Sequence, residues 1–263
     1  MKKWLIALMA LASAATCSAA DIAPSAHDDT VTLYFARHGK TLFNTFDRVQ
    51  GWADTPLTEE GIRVARYLGE GLKGIAFDRY YSSDAGRQRE TMAVILKQMG
   101  VANYHLNELP GLREAFFGGF EGGFNKDMAE AGAHALGMAD SAALFQAMKA
   151  GTLPVKDSQD ALAKADPKGL AENYAQVKAR TQAALATIVK QAQANGDKTV
   201  LAISSGTSMQ IMISDLTDSP DKNKPLANAA VVKIIYKNGH YSVPEIGTLQ
   251  YVETGKQRLN TQK

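Results

Sequence analysis

The sequence predicts an α/β fold: a three-layer α/β/α sandwich around a mostly parallel central sheet, with a helical insertion. Three observations carry that expectation. Short apolar runs at residues 31–36 and 199–203 alternate with longer segments of helical period, the pattern of strands joined by crossover helices. The second run, Val200-Leu201-Ala202-Ile203, has no polar interruption, which marks a strand covered on both faces. Asn238-Gly239 adds a strong hairpin turn near the C-terminus.

The elements follow in order. Met1-Lys2-Lys3, the apolar stretch 4–15 and Ser18-Ala19-Ala20 before Asp21 form an export-signal pattern, too short to span a bilayer, with cleavage after Ala20. Residues 21–29 are polar and turn-prone, a flexible lead-in to one domain over 30–263. After the strand at 31–36, Thr58 is placed to cap a helix whose apolar positions Ala65, Leu68 and Leu72 recur at helical spacing, with Gly74 near its end. Residues 79–82 read as a strand. Asp84 is the expected cap of a helix running to about Met99, with Gly100 behind it, and 101–107 read as a further short strand. Between about 124 and 167 the text is alanine-rich and helical, interrupted at Gly132, Gly137, Gly151 and Pro154. A long amphipathic helix is expected over 170–194, with Tyr174, Val177, Ala184, Leu185 and Ile188 inward and Gly196 as its stop. The strand at 199–203 then turns at Ser204-Ser205-Gly206-Thr207 into a helix, and strands are expected at 229–236 and 247–252.

Composition narrows the function classes. Cys17 is the one cysteine and lies in the predicted signal, which leaves the mature chain without a disulfide, thiolate metal ligand or thiol nucleophile. That fits an oxidising compartment, and a bacterial periplasmic or secreted location is the expectation. The chain holds 29 basic and 27 acidic side chains, and loss of Lys2 and Lys3 balances them. A neutral protein has no general attraction for nucleic acid or, after signal cleavage, for anionic membrane, so any anion specificity must come from a local pocket. The oligomeric state is not encoded in any feature of this kind.

Arg37-His38-Gly39 stands at the C-terminal end of the first strand, where open α/β sheets place chemistry. A guanidinium fork binds phosphate oxygens, and a neutral imidazole beside it offers a nitrogen lone pair for attack on phosphorus. Further segments accompany it: Lys40-Thr41-Leu42-Phe43-Asn44, then Arg48-Val49-Gln50-Gly51-Trp52-Ala53-Asp54-Thr55-Pro56-Leu57-Thr58-Glu59-Glu60-Gly61, then Ser82-Ser83-Asp84-Ala85-Gly86-Arg87-Gln88-Arg89-Glu90-Thr91, then Leu112-Arg113-Glu114-Ala115-Phe116-Phe117-Gly118-Gly119-Phe120-Glu121-Gly122. In this order they resemble the histidine phosphatase superfamily, in the branch that includes the cofactor-dependent phosphoglycerate mutases. The likeness is dense over 31–125 and loose over 170–252.

The resemblance implies roles. His38 would be the nucleophile that forms a phosphohistidine, and Arg37 and Arg87 the phosphate clamps, with Arg89 the competitor of Arg87 and expected instead on a solvated helix face. Asn44, Gln50 and Gly51 match positions near the phosphate or leaving group. Glu114 matches the proton donor to the departing alcohol, while Glu121 matches a residue that supports the loop. The insertion matches a variable segment over the mouth of the site, where it would shape the substrate pocket. No metal or cofactor is implied.

Two departures from the family pattern stand out. Lys40 replaces the usual Glu or Gln, so it either adds positive charge near the pocket or points to solvent. Ser205 replaces the histidine of a Ser-His-Gly pattern, and His105, His134 and His240 stand in contexts that do not match. Loss of one preorganised donor costs about 3 to 4 kcal/mol in such sites, a slower reaction rather than none. The Ser205 hydroxyl and the backbone N–H groups of residues 206–208, beginning at Gly206, are expected to help hold the anion. A serine nucleophile is disfavoured because no Gly-x-Ser-x-Gly elbow is present. The expected function is an exported, metal-independent phosphomonoesterase acting on a small phosphorylated substrate. Its rival is a catalytically impaired relative that binds a phosphorylated ligand or protein partner. A glycolytic mutase fits poorly with an export signal.

Overall fold

The computed structural model describes residues 29–261, so the predicted signal at 1–20 and nearly all of the lead-in at 21–29 lie outside the described residues. The chain runs β1 (Val31–Arg37), α1 (Leu42–Thr45), α2 (Glu59–Leu72), β2 (Arg79–Ser82), α3 (Gly86–Met99), β3 (Leu106–Glu108), α4 (Asn125–Ala135), α5 (Ser141–Ala150), α6 (Val155–Ala165), α7 (Tyr174–Asn195), β4 (Thr199–Ser204), α8 (Gly206–Met212), β5 (Val231–Lys237), β6 (His240–Thr248) and α9 (Gln250–Thr261). Among the described residues the six strands form a sheet in the order β3-β2-β4-β1-β5-β6. The first four in that order are mutually parallel, β5 pairs antiparallel with β1, and β6 pairs antiparallel with β5.

Period-two alternation in β1 divides the core into two layers. Leu33 and Phe35 pack with Leu185 and Ile188 of α7 and Met209 of α8, while Tyr34 and Ala36 pack with Leu68 and Leu72 of α2 and Ile95 of α3. The sheet is thus covered on both faces, which explains the uninterrupted apolar text of β4. Thr58 caps α2 by accepting from the Gly61 N–H at 3.1 Å. Asn173 and Gln176 form a reciprocal capping box at the start of α7, which ends at Gly196 in the left-handed region. The hairpin between β5 and β6 turns at Asn238 and Gly239, with φ of 50° and 80°, the backbone that an Asn-Gly pair adopts most readily.

Two expectations fail. Residues 247–252 are not a strand: β6 follows the hairpin directly and ends at Thr248, and α9 begins at Gln250. The buried positions of α9, Val252 and Gly255, lie three apart on one face, and Val252 packs with Leu68 and Leu72 of α2. Nor does Asp84 cap α3. Its carboxylate pairs with Arg113, whose Nε donates to Oδ1 at 2.7 Å, and the cap position falls to Ala85. The acid serving that helix start is Asp54, which accepts from the Gly86 N–H at 2.6 Å.

Candidate active site

Because β1 and β4 are parallel neighbours, their C-terminal ends lie together, with Arg37 opposite Ser204 and the His38 N–H donating to the Ser204 carbonyl at 3.1 Å. His38 is 3% exposed. Its Nδ1 lies 2.8 Å from the Gly39 carbonyl, an obligate acceptor, which assigns the proton to Nδ1 and leaves Nε2 with its lone pair. Burial first, and then the charges of Arg87 and Arg37, hold the imidazole well below its ordinary value. The neighbouring backbone is fixed as well. Asn228 Nδ2 donates to the His38 carbonyl at 3.0 Å, and the Gly39 N–H donates to Thr91 Oγ1 at 2.9 Å.

A cavity of about 340 Å³ opens over this end of the sheet, lined at its polar end by Arg37, His38, Asn44, Gln50, Glu114 and Gly206. Arg37 donates from Nη1 to the Leu226 carbonyl at 2.5 Å, and its Nε is buried without a partner. A Cβ at Gly206 would lie 3.5 Å from that Nε, in ordinary van der Waals contact with the buried donor. Asn44 and Gln50 line the cavity with amide oxygens already engaged: Asn44 Oδ1 accepts from the Thr41 N–H at 3.2 Å, and Gln50 Oε1 accepts from Thr41 Oγ1 at 2.5 Å.

Arg87 is buried behind this wall and is not a lining residue. Its Nη1 donates to the Ala53 carbonyl at 3.1 Å and to Asp54 Oδ1 at 2.9 Å, and its Nη2 to the Gly51 carbonyl at 2.7 Å. Like Arg37, it keeps a buried Nε without a partner. Methionine at Arg87 is expected to cost about 3 kcal/mol of stability, because it strands those carbonyls in the interior while removing a pair whose acid is partly solvated. That corresponds to a fall of roughly 6 to 12 °C in the melting temperature, read by a thermal melt.

Of the three backbone N–H groups expected to receive an anion at the start of α8, Glu114 occupies two: Oε1 accepts from Ser208 N–H at 2.7 Å and also from Ala115 N–H at 2.9 Å, and Oε2 accepts from Thr207 N–H at 3.1 Å, while Gly206 lines the cavity. Ser205 is fully buried and is also absent from the cavity wall. Its Oγ accepts from Gln88 Nε2 at 3.0 Å and lies 3.5 Å from Arg87 Nη2.

Glu121 gathers the N–H groups of Gly51, Trp52, Ala53 and Phe117 at 3.0–3.1 Å. It ties together the two loops that flank the site. Only glycine fits at position 51, where a Cβ would lie 2.1 Å from a Glu121 oxygen and 2.3 Å from the Ala115 carbonyl. Lys40 pairs with Glu60 at 2.8 Å away from the cavity, and Arg89 pairs with Glu108 on the surface. His105, His134 and His240 are exposed. Among the described residues no cluster of three or more His, Cys, Asp or Glu side chains is placed to hold a metal ion.

Sequence reasoning missed Asn228, whose bond to His38 spans 190 residues, and Arg48, which lines the cavity with its guanidinium 4.0 Å over the Phe124 ring. Arg48 lay inside a quoted motif. Asn228 carried no local signal.

The family model for the histidine phosphatase superfamily (branch 1) matches residues 33–248. The 2,3-bisphosphoglycerate-dependent phosphoglycerate mutases of Parvibaculum lavamentivorans and Methylobacterium radiotolerans are 35% and 39% identical over 97 and 101 residues, which cover 36% and 38% of this chain. These matches span 46% and 47% of the relatives, less than half of their length. A phosphoglycerate mutase structure from Bacillus anthracis is 37% identical and superposes with a TM-score of 0.81 over 88% of this chain and 98% of its own. A phosphoserine phosphatase from Entamoeba histolytica, at 22% identity and a TM-score of 0.61 over 84% of this chain and 99% of its own, shares the fold. On the extent of the family match and of these likenesses, the chain belongs to the histidine phosphatase superfamily, branch 1.

Proposed function

We propose that this chain is an exported, metal-independent phosphomonoesterase that works through a phosphohistidine. The observation that carries this reading is the pairing, at one cavity, of a buried imidazole whose Nδ1 faces the Gly39 carbonyl with the unpartnered Nε of Arg37. In the first step His38 Nε2 forms a bond to phosphorus, the ester P–O bond breaks, and the leaving oxygen takes a proton from Glu114. Glu114 Oε2 accepts a single backbone bond and is the freer of its two oxygens. In the second step a water oxygen bonds to phosphorus, its proton returns to Glu114, and the P–Nε2 bond breaks, which restores the Nε2 lone pair and releases inorganic phosphate. Arg37 holds the phosphoryl oxygens, and Arg87, with Ser205 and Gln88 around it, adds charge from behind the wall.

The reading is tested by turnover of an aryl phosphate by the mature chain in excess chelator, with rapid quenching to trap an acid-labile phosphoenzyme. Both are expected. A folded sample that binds phosphate yet turns over no aryl or alkyl ester across pH would favour the impaired binder. Export is tested by N-terminal sequencing of the protein from a periplasmic fraction, with Asp21 the expected first residue.

Neutrality of His38 sets the pH dependence. Since burial and two guanidinium charges lower its proton affinity, the imidazole stays unprotonated as pH falls past 6.5. The acid limb of kcat/KM, corrected for the second ionisation of the ester near 6, is therefore expected below pH 6.5. A limb at or above that value would contradict the buried, neutral nucleophile.

A further inference from the structure

The cavity over His38 has two unlike ends. Away from the polar end its wall comes from the insertion: Met128 of α4, Leu144, Phe145 and Met148 of α5, and Leu162 of α6. Among the described lining residues one further cation is present, Arg48, whose Nη1 donates to the Gly122 carbonyl at 3.0 Å and whose guanidinium lies over the Phe124 ring, with Asp47 beside it on the wall. A second chamber of about 80 Å³ shares Phe117, Met128, Met148 and Leu162 with the first and is bounded further by Val155, Ser158 and Gln159 of α6. One water-sized group needs about 10 to 15 Å³ by this measure, so the chamber has room for several atoms of a ligand. Gln159 lines it. That residue is 1% exposed, its Nε2 donates to the Glu172 carbonyl at 2.6 Å, and its Oε1 is buried without a partner. A buried acceptor left unpaired is costly, and a ligand donor that reached it would remove that cost.

We infer that the site takes phosphate monoesters of apolar alcohols, alkyl or aryl, whose far end carries a hydroxyl or amide donor that meets Gln159 Oε1. This rests on the phosphomonoesterase reading for the ester end. The apolar wall sits where the alcohol portion of an ester held at His38 must lie. Met128, Leu144, Phe145, Met148 and Leu162 offer that portion burial and no counter-charge, so small carboxylated or polyhydroxylated phosphates leave this part of the wall unsatisfied.

The test uses the mature chain and calorimetric titration with non-hydrolysable n-alkyl phosphonates from methyl to octyl, alongside turnover of the matching phosphates. Affinity is expected to rise roughly three- to fivefold per methylene until the chamber is filled. A terminal hydroxyl at the length that reaches Gln159 is expected to add about five- to tenfold. Phe145→Ser at the half-exposed rim and Leu162→Lys inside are expected to flatten the dependence on chain length. Gln159→Met is expected to erase the hydroxyl advantage, and thermal melts verify that each variant is folded. Affinity independent of chain length, or a carboxylated short phosphonate that outbinds octylphosphonate, would overturn the inference. Absence of any hydroxyl advantage at every length would overturn its Gln159 part. Since phosphonate binding needs no turnover, rising affinity without His38-dependent hydrolysis sinks only the enzymatic reading, and hydrolysis with flat affinity sinks only this inference.

Discussion

Alanine at His38 is expected to lower turnover of an aryl phosphate by at least about 10⁴-fold, because the group removed is the one that forms the covalent bond to phosphorus. Binding is expected to survive. The imidazole is held neutral, so its loss takes no charge from the cavity, and the unpartnered Nε of Arg37 remains to meet the phosphoryl oxygens. The variant therefore separates the two kinetic constants: kcat collapses while the affinity for a phosphonate changes little. Stopped-flow turnover and calorimetry on the same sample read both. Residual turnover within tenfold of the parent would mean that His38 is not the nucleophile.

Glu114→Gln is expected to lower kcat/KM for an alkyl phosphate by about 10² to 10⁴, the usual contribution of a general acid. The same variant is expected to lose much less with a nitrophenyl phosphate, whose leaving group departs without a proton. This contrast matters because Glu114 also has a structural role. Its two oxygens accept from Ala115, Thr207 and Ser208 N–H groups, and the amide of glutamine cannot serve all three. A purely structural loss would depress both substrates alike. A leaving-group-dependent loss identifies proton transfer.

What could be read from the chain beforehand was local. β1 and β4 were legible because strands covered on both faces must be apolar throughout, and Thr58, Gly196 and Asn238-Gly239 were legible because caps and tight turns depend on neighbours in sequence. Residues 247–252 misled, since Thr, Leu, Tyr and Val favour strands until a packing partner decides otherwise, and here α2 presents a face that a helix covers. The Arg37-His38-Gly39 motif was visible for the same local reason. The acceptor for His38 Nδ1 was not, although it proved to be the next carbonyl along the chain. Nor could the sequence show that Glu114 would reach the start of α8 across 93 and 94 positions and occupy two of the three donors assigned to an anion. Asp54 displaced Asp84 at the start of α3 by the same kind of distant contact.

The central place of β1 in the sheet has a consequence for the order in which the molecule comes into being. β1, which ends at Arg37 immediately before His38, lies between β4 and β5, and these two site residues bond to Leu226 and Asn228, 189 and 190 positions further along the chain. Pairings of such long sequence separation form slowly, because the loop they close must be ordered before any contact rewards it. An emerging chain therefore carries the reactive imidazole long before anything holds it, and competence arrives only when residues 199–237 have left the ribosome and been laid beside β1.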